Sequence, residues 1–412
     1  MLPQLRKIEE KYADDVVVIG VHSGKYIAER ETDRILEASL RYEITHPIVN
    51  DRQFRVWRSY AVRAWPTLAL IDRNGHVVGA HAGEFTAEML EPVLDALVAM
   101  KTELRPPPLP HTPQQPAITP SLLRYPAKIT IDDARIAIAD SGNHRVLVGT
   151  LATSKQMRID REIGEGFHAP QGMAFVGETL YVTDSEKHTV SAVELTTGTA
   201  SVIAGTGDQM RTQADRSAGA LSSPWDITVV GRKAYIAMAG IHQLWALDLD
   251  TRTLNVHSGN GGEDIGDGPH KDALLAQPMG ITTDGIRLYF ADSESSAIRW
   301  ADINPTGDVG TIIGTGLFDF GDVDGKGDKV RMQHQQGLAY AGNGRILVAD
   351  SYNDALKWVN IQTREATTWL RGFHEPGGVA IANGYAYVAD TNAHRIMVVD
   401  LTSSELSELE IV

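Results

Sequence analysis

Apolar residues follow two rhythms along this 412-residue chain, and the change of rhythm divides it. Over the first hundred residues, strand-length apolar runs alternate with stretches of helical period. Residues 3–12 are helical in composition, and residues 16–21 (Val-Val-Val-Ile-Gly-Val) form a continuous apolar run suited to a buried parallel strand. Residues 28–42 place Ile35, Leu36 and Leu40 on one helical face. The pattern then predicts a short strand at Ile48-Val49, a short helix over 53–60 and a buried strand over 67–71. Asn74-Gly75 is a hairpin signal, because Asn-Gly readily takes positive φ; a returning strand over 77–80 and a closing helix over 86–100 follow. This order defines an α/β layer with a mixed sheet.

Beyond residue 125 the period becomes that of strands, and one local pattern recurs. Ile138-Ala139-Asp140-Ser141-Gly142-Asn143-His144 is matched by Val388-Ala389-Asp390-Thr391-Asn392-Ala393-His394, with further copies ending their strands at Asp184, Asp292 and Asp350. A degenerate copy, Ile236-Ala237-Met238-Ala239-Gly240-Ile241-His242, carries Met where the others carry Asp. The strand-end marks are separated by 44, 54, 54, 58 and 40 residues, so loop length varies while the local pattern holds. Six copies of a four-strand unit predict a six-bladed β-propeller.

Between the two regions, eight of the 18 prolines fall between Pro106 and Pro126, a density that blocks helix and ladder pairing and predicts a semi-extended linker. The expected organisation is therefore 1–103, an α/β domain; 104–124, the linker; and 125–412, the propeller. Net charge is −15 from 38 Lys+Arg and 53 Asp+Glu; of this, 12 − 15 = −3 lies before residue 101. The acidic balance disfavours nucleic acid as a partner, since counterion release needs a concentrated basic surface. No stretch reaches the roughly 20 apolar residues of a membrane-spanning helix, and the first residues lack the basic-then-apolar order of a secretory signal. The expected location is cytoplasmic, with no membrane partner. The chain has no cysteine, which excludes a thiol nucleophile, a disulfide and a thiolate metal site.

Candidate binding residues come from the turns. The repeated Asp suits an Asx turn whose amides it accepts, and His144, His188, His242 and His394 stand in the same turns. Their bland role is a ring packed on or bonded to the neighbouring blade; metal binding would need three imidazoles to converge. Three long connections, 205–224, 259–278 and 314–335, lie on the face that carries these turns, and Trp225-Asp226 opens an inner strand there, positioned to point toward the channel mouth. Asp322-Val323-Asp324-Gly325-Lys326-Gly327-Asp328 resembles a calcium loop but lacks the terminal bidentate Glu and contains a lysine. A repeat-derived Asp-Gly turn explains it more simply. No cofactor and no metal site are expected.

The six copies resemble the NHL repeat over nearly all of 125–412. Arg63-Ala64-Trp65-Pro66-Thr67, set just before an apolar strand, resembles the cis-proline loop of a thioredoxin-like domain. Together the halves resemble NHL-repeat-containing proteins with an N-terminal thioredoxin-like domain. The resemblance implies a first strand leading into a Cys-x-x-Cys-type motif ahead of the first helix, between the strands matching 16–21 and 67–71. Here Met1 stands inside that helix, so an incomplete domain is expected, with a gap or unpaired backbone between those strands. Two readings follow: a natural chain that starts earlier, or a shortened, redox-inactive domain. At Trp65 and Pro66 the resemblance implies a loop able to receive an extended peptide. The leading expectation is a non-catalytic binding or scaffolding protein for a protein or peptide ligand, using the propeller's loop-rich face. The alternatives are a thiol–disulfide oxidoreductase-related protein whose cysteines lie in a missing segment, and a metal-dependent propeller hydrolase or lyase.

Overall fold

The computed structural model describes residues 2–100, 121–211 and 213–412. The chain divides into two compact units, Met1–Thr119 and Pro120–Val412. Most of the expected linker lies outside the described residues.

The first unit runs α1 (Leu2–Lys11), β1 (Gly20–His22), α2 (Thr32–Arg41), β2 (Ile48–Asn50), α3 (Arg55–Ser59), β3 (Thr67–Ile71), β4 (Val77–Ala82) and α4 (Ala87–Ala99). Thr86 caps α4 by accepting from the Met89 amide. Leu5 and Ile8 of α1, Tyr12, Phe85, and Leu90 and Leu94 of α4 form the core, with Val16, Val18, Leu68 and Leu70 packed against it. The gap expected between the strands near 16–21 and 67–71 is present: the mixed sheet is split into two separate pairs, β1–β2 parallel and β3–β4 antiparallel. One expectation is corrected here. The six-residue strand expected over 16–21 shrinks to Gly20–His22, because only Ile48–Asn50 offers it a ladder partner. Val17 and Ile19, on the face opposite Val16 and Val18, are left 60% and 51% exposed.

The second unit is a six-bladed propeller. Inner strands begin at Pro126, Pro170, Pro224, Pro278, Gly337 and Pro376, and each is followed by three antiparallel strands of its own blade. The apolar clusters lie between successive blades. One, for example, joins Tyr181 and Val190 of blade 2 to Ile227, Ile236 and Trp245 of blade 3. The C-terminal segment closes the ring: Leu406–Glu408 is the outer strand of blade 6, and Glu410–Ile411 pairs parallel with Gln156-Met157 on the outer edge of blade 1. Blades 4 and 5 also gain a fifth strand, Gly268–Pro269 and Gly325–Lys326, drawn from the connections that precede them. Parts of the second and third long connections are thus sheet edge, where loops of the recognition face were expected.

Candidate functional site

Four inner strands carry glycine at the third position of their opening motif: Gly172, Gly280, Gly337 and Gly378. There the strands abut. A Cβ at Gly172 would lie 2.4 Å from the Asp226 Cα, and one at Gly378 would lie 2.7 Å from the Ala127 carbonyl oxygen. The two remaining blades place Lys128 and Asp226 at this position, and both are buried. The Lys128 ammonium reaches from blade 1 across to blades 3, 4 and 5. It donates to the Met279 carbonyl (3.0 Å) and the Gln336 carbonyl, and lies 3.4 Å from Asp226 Oδ2. Asp226 accepts further from the Ile227 amide at Oδ1 (2.9 Å) and the Ile281 amide at Oδ2 (3.0 Å). Burial pulls Lys128 below its ordinary value and pushes Asp226 up; each is opposed by the other's charge. Asp226 therefore faces inward as an ion pair, with both carboxylate oxygens occupied. Trp225 beside it is half-buried.

Lys128 is the residue sequence reasoning missed. It stands two places after Pro126 as Asp226 stands two after Pro224, but a search for inward acids and imidazoles passes over an amine.

Each second strand is followed by a turn that ends in a left-handed residue: His144, His188, His242, Ser296, Asp354 or His394, with φ of 52 to 57°. His188, His242 and His394 accept at Nδ1 from the amide just ahead of the next blade's inner strand: Ser223 (3.0 Å), Gln277 (3.2 Å) and Tyr125 (3.1 Å). Ser296 and Asp354 accept likewise from His334 (3.2 Å) and Glu375 (2.9 Å). His144 departs from the rule: its Nδ1 meets the His168 carbonyl, and its ring stacks on His168 at 4.7 Å. These side chains fasten blade to blade, each at its own interface. Among the described residues, no three His, Asp or Glu side chains converge as a metal cage.

The strand-end aspartates act within their blades. Asp140, Asp292, Asp350 and Asp390 accept from the amides of Arg124, Ala276, Gln333 and His374, which precede the inner strand of the same blade. This corrects the expectation that the following turn supplies the amides. Asp184 does take one from there, at Lys187. In blade 4 the buried Arg299 joins Asp292 (2.9 Å) to Asp267 of the fifth strand's connection (3.0 Å). In blade 5, Lys357 plays the same part, donating to Asp322 (2.7 Å), Asp324 (2.8 Å) and Thr368 (2.9 Å), with Asp350 at 3.8 Å. The calcium-like run is filled by an ammonium. Blade 3 replaces this polar set with an apolar one: Met238 and Trp245 stand where blade 4 has Asp292 and Arg299, and Arg216 lies over the Trp245 ring at 5.3 Å. The degenerate repeat is thus a coupled exchange of charge for packing.

Where blades 3 and 4 meet, the rings of His257 and His270 lie 4.6 Å apart, their Nε2 atoms directed at the Asp302 (2.9 Å) and Asn304 (3.0 Å) carbonyls. Burial, then the neighbouring His270, lowers His257 to about 4. Because its folded value lies below the unfolded one, its stabilising contribution is complete above about 6.5 and is lost as pH falls through about 4. We expect a loss of about 3 kcal/mol over that window. Thermal midpoints measured against pH should show this slope flattened in His257→Gln; an unchanged slope would refute the assignment.

In the first unit the Trp65–Pro66 bond is cis, and Trp65 is 46% exposed. Its ring lies 4.4 Å from that of Trp57 and 6.4 Å from that of Phe54, with Arg30 over Phe54 at 5.4 Å. Trp65 Nε1 donates to the Ser23 carbonyl (2.8 Å), and the Ser23 hydroxyl donates to Asp51 (2.9 Å). Asp51 also accepts the amides of Arg55, Val56 and Trp57, the first turn of α3. Burial pushes Asp51 up, but these amides and Ser23 outweigh it and hold the carboxyl below its ordinary value. The result is a rigidly mounted, partly exposed aromatic group. Sequence reading named Trp65 and Pro66 of it; Phe54 and Trp57 carried no signal beyond their residue type.

Ring closure, the six turns and the separate α/β unit define a propeller protein of NHL type with a thioredoxin-like segment. The chain belongs to the NHL-repeat-containing proteins. It is 35% identical to NHL repeat-containing protein 2 of Bos taurus over 99% of its own length, and spans 65% of that protein's length. Over 99 aligned residues (23% of the chain and 52% of the relative) it is 25% identical to the thiol-disulfide oxidoreductase ResA of Halalkalibacterium halodurans. Among solved structures, an auxiliary nutrient binding protein from Bacteroides thetaiotaomicron matches with a TM-score of 0.51 at 11% identity, covering 70% of each chain; this likeness concerns fold alone. No protein-family model matches the chain.

Proposed function

We propose that this chain is a non-catalytic binding protein for an extended, apolar peptide segment, with the propeller as its scaffold. The observation that carries the reading is the exposed Trp65, packed on the half-buried rings of Trp57 and Phe54 and fixed from beneath by Ser23 and Asp51. Aromatic rings held in one geometry supply contact area at little entropic cost, which is what a recognition surface needs. A thiol reaction gains no support, since the sequence holds no cysteine. A metal-assisted reaction at the propeller axis gains none either, because Asp226, the acid at the third position of the inner-strand openings, is already neutralised by Lys128 and bonded through both oxygens. On the propeller face, the histidines put forward as binding residues have their Nδ1 atoms engaged between blades, which supports reading the first unit as the recognition surface.

The test is selection of peptides from a random display library on the full chain. Enriched sequences should be extended and apolar, and Trp65→Ala should lower their affinity at least tenfold, the cost of removing one buried aromatic anchor of about 1.4 kcal/mol or more. Binding that survives Trp65→Ala, or no enrichment at all, would refute the reading.

A further inference from the structure

A sheet edge is where one β-protein can join another, because its strand carries backbone donors and acceptors that its own sheet leaves unused. Among the described residues, three of the six outer edges are covered from within the chain: blade 1 by Glu410–Ile411, blade 4 by Gly268–Pro269 and blade 5 by Gly325–Lys326. Blade 6 ends in the short strand Leu406–Glu408, bracketed by Glu405 and Glu410. Blade 3 ends in Leu254–Ser258, where His257 turns to bond Asp302 across the blade boundary and no large apolar side chain is exposed. Blade 2 differs from all of these. Among the described residues its outer strand, Thr199–Ala204, pairs on one side only, runs for six residues without a charge or a proline, and leaves Val202 55% exposed. Its one irregularity, the bulge near Ile203, also occurs in blades 3, 4 and 5.

We propose that two copies of this chain pair through Thr199–Ala204, antiparallel about a two-fold axis. Charge is what selects a second copy as the occupant. With a net −15, two copies repel wherever their carboxylates are brought together. Pairing centred between Ser201 and Val202 opposes Thr199 to Ala204, Ala200 to Ile203 and Ser201 to Val202, so every cross-strand pair is neutral. The same operation at blade 6 would crowd two sets of Glu405, Glu408 and Glu410, and like charges across a ladder destabilise it. A self-complementary patch used by both partners is what a closed dimer requires. The inference is independent of the peptide reading.

Sedimentation velocity of the full chain over a concentration series tests it. The 44.9 kDa species should give way to one of twice that mass as concentration rises. Val202→Lys, which alters a side chain already in solvent, should abolish the heavier species and leave unchanged the thermal midpoint measured at concentrations where the parent chain is monomeric. Thr199→Lys, also at an exposed position, serves the same purpose should Val202→Lys not fold. Ile286→Lys, at an exposed position on blade 4, should leave the dimer intact. A chain that stays monomeric throughout overturns the proposal. So does a dimer that the strand variants retain, or one that Ile286→Lys loses equally.

Discussion

Replacing Lys128 by methionine should lower the propeller's thermal midpoint by on the order of 10 °C. The substitution keeps the side chain's length and removes its charge. Asp226 is then left buried with its amide donors but no cation, and the Met279 and Gln336 carbonyls lose the donor they share. Breaking a buried ion pair from one side costs about 3–5 kcal/mol, because the abandoned charge remains desolvated. For a domain of this size, each kcal/mol corresponds to about 2–4 °C. Asp226→Leu should cost a similar amount for the mirror-image reason. The double variant should recover much of both losses, since an apolar pair can replace an ionic one without leaving an orphan. Thermal unfolding of the four proteins completes the cycle. Strictly additive losses would mean that the two side chains do not act as a unit, and an unchanged midpoint in Lys128→Met would mean that the axis does not depend on them.

The same pair shows what a sequence discloses and what it withholds. The propeller was legible because six copies of one strand-and-turn pattern repeat the same local chemistry, and a turn histidine bonded to its neighbour is the role that pattern suggested. Met238 registered only as a lapse, because its compensation lies seven residues on, at Trp245, and in Arg216 on a separate connection. Lys128 was hidden for a different reason: its partners belong to blades 98, 151 and 208 residues away, and only an alignment of the inner-strand openings sets it opposite Asp226. In the first unit, apolar runs located strands but not their ladders. A strand exists only where another backbone accepts it, so residues 16–19 stayed extended without pairing while Gly20–His22 found Ile48–Asn50.

Lys357→Ala should be nearly as costly as the axial substitution, by about 3–5 kcal/mol. The ammonium is fully buried and holds Asp322, Asp324 and Asp350 around one point. Without it, Asp324 and Asp350 lose the Lys357 ammonium, while Asp322 keeps its ion pair with Arg371 (2.7 Å). The penalty should also depend on pH. Burial pushes Asp350 up to about 7 in the native protein, against the pull of Asn353, the Gln333 amide and Lys357. A raised carboxyl stabilises the fold while protonated and loses that contribution as pH climbs through its folded value. Removing Lys357 lifts that value further, so above about 7 the variant goes on losing stability after the native protein has stopped. Thermal midpoints of the two proteins should therefore diverge as pH rises through neutrality. A pH-independent difference would remove Asp350 from the set.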